Sequence, residues 1–227
     1  MKFFITGTTS GLGMSLQQQI QTSSNKLVVL NRTKIDSESI DQLIIDDLKN
    51  LNDLHFVLTS HSSYLKDVDV CILNAGTLGD IKKASEVETA DLLDSFHINC
   101  LANKVIIDFF LKETNCSKFV YISSGAASKP YTGWLEYCST KAFSDAMLRV
   151  YAKENLNKLF VSVSPGAIST NMQSKIRSSS VEQYPDMKKF IDLYENNNLR
   201  SPDDAAFKLI EHLKFMTLEH SGMFMGI

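Results

Sequence analysis

No two cysteines stand in a Cys-x-x-Cys spacing, and no His-Glu-x-x-His run occurs. The four cysteines (Cys71, Cys100, Cys116 and Cys138) lie far apart and the five histidines are scattered. Zinc ribbons, thioredoxin-type redox pairs and metalloprotease sites are therefore not expected, nor is a bound metal. A basic surplus is lacking too: the formal net charge is −3, whereas nucleic-acid binders carry clustered lysine and arginine, so no nucleic-acid partner is expected. No apolar stretch approaches the roughly 20 residues of a membrane span. At the N-terminus only Phe3, Phe4 and Ile5 precede the Thr6-Gly7 break, short of the about 7–15 apolar residues of a secretory leader. The expectation is a soluble cytoplasmic protein with reduced thiols and no membrane partner. No linker, repeat or low-complexity tract divides the chain, so residues 1–227 are expected to form one domain.

What the chain does have is apolar residues, 44% of the total against 22% charged, enough for a sizeable core. Short apolar runs alternate with amphipathic segments from end to end. Strands are expected at 3–5, 27–30, 42–45, 68–73, 118–122, 159–163 and 223–225. Leu12, Leu16 and Ile20 recur every fourth residue, one face of a helix. Strands that are apolar throughout are buried on both faces, and helical segments between them imply βαβ units. The predicted fold class is α/β: a doubly wound parallel sheet of about seven strands with helices on both faces, the Rossmann arrangement. Only about a dozen residues separate the second and third strands, too few for a full crossover helix. Residues 171–200 form a long excursion after the sixth strand, polar at first and then with Met187, Phe190, Ile191 and Tyr194 at helical spacing. Such a segment is expected to be a mobile substrate lid. Ser201-Pro202-Asp203-Asp204 then opens a helix, with a capping serine, an early proline and acids at the positive end of the dipole.

Two motifs carry chemistry. Thr6-Gly7-Thr8-Thr9-Ser10-Gly11-Leu12-Gly13 lies between the first strand and the first helix. Glycines there let the backbone turn tightly and approach a pyrophosphate at the helix N-terminus. A glycine-rich turn without a ligand would read the same, and no Gly-Lys-Ser/Thr follows to make a P-loop. The second motif is Tyr137-Cys138-Ser139-Thr140-Lys141. Tyrosine and lysine four apart share a helix face, and an ammonium beside a phenol favours the phenolate. Most such pairs are nonetheless solvated helix surface.

Further features follow in order: Asn74-Ala75-Gly76 closing the fourth strand, Asn99 in the next long helix, Ser124 thirteen positions before Tyr137, then Pro165-Gly166 and Thr170 after the sixth strand. Together they resemble the short-chain dehydrogenase/reductase family along essentially the whole chain, and in compactness its sepiapterin-reductase-like and other small carbonyl reductases. The resemblance implies an oxidoreductase that interconverts a carbonyl and a secondary alcohol on a small molecule. It implies Tyr137 as acid and base, Lys141 tuning it and holding the nicotinamide ribose, Ser124 on the reacting oxygen, and Asn99 holding a relay water. It assigns the loop residues Gly7, Thr9, Ser10, Gly11, Leu12 and Gly13 to the phosphates. Asn74 and Ala75 fall on the adenosine-ribose side, Asp47 and Leu48 at the adenine, Thr170 and the Ile168 backbone at the carboxamide, with Gly76, Pro165 and Gly166 also assigned to the cofactor. A homodimer or homotetramer is expected. NADP(H) is favoured over NAD(H), because neutral Asn31 stands where NAD-binding relatives place an acid and Arg32 follows it, with Lys34 nearby.

Three departures are visible. The second crossover is short, the loop lacks a basic residue between Thr8 and Ser10, and only Gly226 and Ile227 follow the last expected strand, so no C-terminal extension for tetramer packing is expected. A non-catalytic nucleotide sensor or an isomerase/dehydratase on the same fold is the alternative function; the Ser, Tyr and Lys all being present argues against both.

Overall fold

The computed structural model describes residues 1–22 and 25–227. Seven strands form one sheet: β1 (Lys2–Thr6), β2 (Lys26–Asn31), β3 (Asp41–Ile44), β4 (Val70–Leu73), β5 (Lys118–Ile122), β6 (Leu159–Ser164) and β7 (Phe224–Gly226). Their spatial order is β3-β2-β1-β4-β5-β6-β7, and every pairing is parallel.

Because successive strand residues point to opposite faces, each run feeds two cores. Phe4, Val28, Leu30, Cys71, Leu73, Phe119, Tyr121 and Phe160 face one side. There they meet Leu54 and Leu58 of α2 (Leu51–Ser60), Ile106, Ile107 and Phe110 of α5 (Ala102–Glu113), and Leu148 and Ala152 of α6 (Leu135–Glu154). The rings of Phe119 and Phe160 stack at 4.5 Å between centroids in this layer. Phe3, Ile5, Val29, Ile72, Val120, Val161 and Val163 face the other side. Their partners are Leu12, Leu16 and Ile20 of α1 (Gly11–Gln21) and Ala205, Ala206, Leu209 and Leu213 of α9 (Pro202–Phe215). The doubly wound architecture predicted from the alternation is thus the one observed. Among the described residues no helix is long and apolar enough to cross a membrane.

Some boundaries differ. The fourth strand starts at Val70 rather than Val68; just before it the Asp69 N–H donates to the Lys2 carbonyl of β1, while the Lys2 N–H turns to the Asp69 carboxylate, both at 2.8 Å. The third and last strands sit one residue from their expected positions. The β2–β3 connection holds no helix, as its length required. It is tied down instead by Gln42, which accepts from the Ile35 N–H at 2.8 Å and donates to the Ile35 carbonyl at 2.9 Å. Between α3 (Ser62–Leu65) and α5 runs α4 (Thr89–Phe96), joined to α5 through a π-helical turn, His97–Leu101. Residues 171–200 contain two helices, where the spacing pointed to one: α7 (Asn171–Arg177) and α8 (Met187–Glu195). The first has a polar sequence, and the Thr170 hydroxyl caps it by accepting from the Gln173 N–H at 3.4 Å. Met187 and Phe190 of α8 are buried with Ile176, Tyr184, Leu78, Ala126 and Trp134 in a third apolar cluster.

The chain leaves the β3 edge and re-enters the sheet beside β1 as β4. At that reversal the connections leave β1 and β4 on opposite sides, and a crevice opens at the strand carboxyl ends. Gly13 controls how closely α1 approaches it. A methyl there would sit 2.0 Å from the Gly7 carbonyl oxygen and 2.6 Å from Asn74 Nδ2. Gly13→Ala is expected to cost about 1–3 kcal/mol by overpacking, which at this chain length lowers Tm by roughly 2–4 °C per kcal/mol. An unchanged melting curve would show that the close approach is not needed.

Candidate active site

One cavity of about 700 Å³ lies across the carboxyl ends of the central strands. Its floor is the glycine loop. Gly7 and Gly11 take φ values of +70° and +54°, which side chains rarely tolerate. The Thr6 hydroxyl, fully buried, accepts from the N–H groups of Asn74 (3.0 Å) and Ala75 (2.9 Å). Asn74 Nδ2 returns two bonds, to the carbonyls of Thr6 (2.9 Å) and Gly7 (2.8 Å). The end of β4 is thereby fastened to the loop after β1. Ser10 precedes α1 with no side-chain cap bond, and the first turn of α1 carries no acid. Its backbone N–H groups and the positive end of its dipole are available to an anion.

Asn31, buried at the end of β2, braces the loop from the other side: its Oδ1 accepts from the Thr8 N–H at 2.7 Å and its Nδ2 donates to Thr8 Oγ1 at 2.9 Å. Arg32 is exposed, lines the same cavity, and makes no ion pair with any described residue. Asp47 and Leu48 line the far end, with Asp47 3.6 Å from the Lys49 ammonium.

The opposite end is built on α6. Tyr137 and Lys141 project from its first turns into the cavity, opposite Ser124 at the end of β5. Lys141 is almost fully buried; Nζ donates to the Ile122 carbonyl at 2.7 Å and lies 4.6 Å from the Tyr121 ring centroid and 5.5 Å from that of Tyr137. Burial pulls the lysine down to about 8, against the opposing pull of Asp145 and Cys100. Burial pushes the Tyr137 phenol up to about 12, and the Ser124 hydroxyl only partly offsets this. Burial thus sets the direction at the phenol in this structure.

Of the site residues anticipated from the sequence, all but one line this cavity, including Gly76, Pro165, Gly166, Ile168 and Thr170. The exception is Asn99, which stands behind it in the π-helical turn. Its Oδ1 accepts from the Thr77 N–H at 2.8 Å, and its Nδ2 donates to the Thr77 carbonyl and Thr140 Oγ1. The Asn99 carbonyl accepts from Asn103 Nδ2 at 2.7 Å and Ser144 Oγ at 3.0 Å.

Beside Tyr137 stands an aromatic wall. Trp134 packs edge-on to Tyr137 at 5.7 Å, stacks on Phe190 at 5.1 Å and meets Tyr131 at 4.8 Å. Tyr131, Trp134 and Met172 therefore both pack in the third cluster and line the cavity. Sequence reasoning missed Glu136. Buried one residue before Tyr137, it accepts from the Asp80 N–H at 3.0 Å and from the Ser95 hydroxyl, holding the loop after β4 against α6. No local pattern marks it, because its partners lie 56 and 41 positions away.

The family model described as short chain dehydrogenase matches residues 2–180. The chain is 34% identical over 226 residues to a benzil reductase ((S)-benzoin forming) of Bacillus subtilis, covering 93% of each chain. It is 32% identical over 230 residues to the protein of the same name from Bacillus cereus, covering 92% of each. In fold it is similar to the KRED1-Pglu enzyme, with a TM-score of 0.88 at 23% identity over 99% of this chain and 100% of that one.

Asn31→Ala would strand the buried Thr8 N–H and hydroxyl. Leaving buried polar groups unpaired costs about 1–3 kcal/mol, so Tm should fall and the glycine loop should gain amide hydrogen exchange. A variant with wild-type exchange in residues 7–13 would show that the loop holds its shape without Asn31.

Proposed function

The chain belongs to the short-chain dehydrogenase family, oxidoreductases of carbonyl and alcohol groups, and from that premise we propose that it is an NADPH-dependent ketone reductase with Tyr137 as the proton donor. The observation that carries this reading is the convergence of Ser124, Tyr137 and Lys141 at one end of a cavity whose other end is a glycine loop at a helix N-terminus.

The cavity residues fit a dinucleotide. The loop brings backbone N–H groups forward where a Cβ on Gly13 would collide, and α1 offers an uncapped positive end to a pyrophosphate. Thr170, whose methyl would lie 3.2 Å from a Cβ on Gly11, and Ile168 line the cavity and would hold the carboxamide. Asn74, Ala75 and Gly76 would border the ribose, and Asp47 and Leu48 the adenine. When bound, NADPH supplies the hydride.

The protein supplies the proton and the geometry. Tyr137, held protonated by burial, donates its phenolic proton to the oxygen of the carbonyl being reduced, while the Ser124 hydroxyl orients that oxygen. Lys141 uses one of its three N–H donors on the Ile122 carbonyl, leaving two for ribose hydroxyls, and its charge favours the phenolate left after proton transfer. Asn99 holds the Thr77 backbone and Thr140 in place behind Lys141; its carbonyl already accepts from Asn103 Nδ2 and Ser144 Oγ, so a relay water there would have to displace one of them. On the substrate side, the wall of Tyr131, Trp134 and Phe190 suits an aryl ketone or aryl 1,2-diketone, which agrees with two relatives being named for benzil.

Residues 171–200 cover this wall as a lid. Its ties at the mouth, Lys175 to the Gly79 carbonyl and Asp80 and Asp186 to Thr132, are exposed, while at its end Arg200 donates to the Pro165 and Ile227 carbonyls from a half-buried position. Exposed ion pairs contribute only about 0–1 kcal/mol each, so what holds the lid down is the burial of Ile176, Tyr184, Met187 and Phe190 against Leu78, Ala126 and Trp134.

Tyr137→Phe is expected to lower kcat for benzil reduction by roughly 10²–10⁴-fold, with NADPH Kd unchanged in a fluorescence titration. A variant keeping half the wild-type kcat would overturn the proton assignment.

The preference for NADPH rests on Arg32. Asn31 is neutral and spent on Thr8, so no carboxylate stands there to repel a 2′-phosphate, and the exposed guanidinium of Arg32 is free to take it. A charge-assisted hydrogen bond is worth roughly 1.5–3 kcal/mol, about ten- to a hundredfold in affinity. The kcat/KM ratio should therefore favour NADPH over NADH by at least about tenfold at low salt, and Arg32→Ala should erase most of it by weakening NADPH alone. Equal use of both cofactors by the wild type, or an unchanged ratio in the variant, would contradict the assignment.

A further inference from the structure

One helical turn beyond Lys141, on the same face of α6, lies a second buried charged residue that the proposed chemistry does not use. Asp145 is 8% exposed and Lys141 4%, and residues four apart on a helix are neighbours. Among the described residues Asp145 forms no direct ion pair, and its Oδ1 accepts no hydrogen bond. Around it stand the Ser123 hydroxyl after β5, the Ser162 hydroxyl on β6, and the charges of Lys141 and Arg149 on α6. All four favour its ionised form against burial. Around Lys141 stand Tyr137 and Asp145 from α6, the Tyr121 ring and Ile122 carbonyl from β5, and Cys100 from the π-helical turn. Of these groups, only Asp145 is a carboxylate.

We propose that Asp145 is a positioning residue for Lys141: its buried carboxylate is the counter-charge that keeps the ammonium charged beside Tyr137, in a site that otherwise favours a neutral amine. The inference rests on the reading of Tyr137 and Lys141 given above. An ammonium among Tyr121, Ile122 and the α6 backbone recovers only part of its lost hydration, from one carbonyl and one ring face. Opposite charges in a poorly solvated region recover part of that loss over distances longer than a hydrogen bond, because screening by water is weak there. The carboxylate lies on the side of Lys141 away from Tyr137 in sequence, so it can sustain the charge without competing for the phenol.

The sign of the effect follows. Burial lowers the lysine and Asp145 opposes that lowering, so removing the carboxylate charge lowers the lysine further. Reduction needs the charged lysine, so the rate should fall as pH rises through its titration, near 8 in the wild type. In Asp145→Asn the alkaline limb of the kcat profile for benzil reduction should move down by about one pH unit. NADPH affinity at pH 6, where the lysine is still charged, should stay within about twofold of wild type. Asp145→Glu keeps the charge and should restore the wild-type profile. A folded Asp145→Asn enzyme whose profile superposes on the wild type, or a Glu variant shifted as far as the Asn variant, would overturn the proposal.

A second measurement needs neither turnover nor the Asn variant. Coupling between two titrating groups is reciprocal, so the Asp145 carboxyl carbon, followed by NMR through a pH titration, should show a midpoint about one unit higher in Lys141→Met than in the wild type. An unchanged midpoint overturns the proposal. This titration reads the Asp145–Lys141 coupling alone, whereas the Tyr137→Phe kinetics read the catalytic assignment, so the two can fail separately.

Discussion

The Gly7 carbonyl is the point on which the site depends. It accepts from Asn74 Nδ2 at 2.8 Å, and Gly13 approaches it so closely that a methyl would lie 2.0 Å away. Three pieces of chain from different parts of the sequence meet there: the end of β1, the first turn of α1 and the end of β4. Because β1 and β4 flank the reversal of strand order, this contact keeps the crevice at a fixed width. It also aims the free N–H groups of α1 into the cavity. The parallel sheet supplies rigid strand ends, and the Thr6, Asn31 and Asn74 side chains convert them into a shaped loop.

At the other end of the cavity burial, rather than any single bond, sets the chemistry. Desolvation pushes the Tyr137 phenol up and the Lys141 ammonium down, so each group is moved toward its neutral form. Under the proposed chemistry the neutral phenol is the useful form, since it has a proton to give, whereas the lysine would act through its charge, so the same burial works against it and has to be offset by the surroundings. Nearby polar groups therefore matter beyond their direct contacts: Ser124 opposes the effect at the tyrosine, and Asp145 and Cys100 oppose it at the lysine.

The substrate side is organised differently. Trp134, Tyr131 and Phe190 join the first turn of α6 and its preceding loop to α8 by ring packing, while the polar ties across the mouth are exposed. Apolar contact gives this wall its cohesion, and the water-exposed ties add little to it. One end of the cavity is thus held by apolar packing and the glycine loop by buried and half-buried hydrogen bonds.

The order of strands and helices was legible from the residues alone, because strands buried on both faces must be apolar throughout and α1 must show a fourfold repeat. The glycine loop was legible for a similar reason: a tight turn and a close backbone approach restrict residue type at the position itself. Tyr137 and Lys141 share a helix face by spacing. What spacing could not convey was the company each residue keeps. Asn31 is chosen for its two bonds to Thr8, Glu136 for the Asp80 backbone and Ser95, and the polar α7 is a helix because Thr170 caps it and Ile176 is buried. Local pattern constrains backbone conformation, which depends on neighbours in sequence. Ionisation and hydrogen-bond pairing depend on solvent exclusion and on partners many residues away, and those are settled only when the sheet and its helices close around the site.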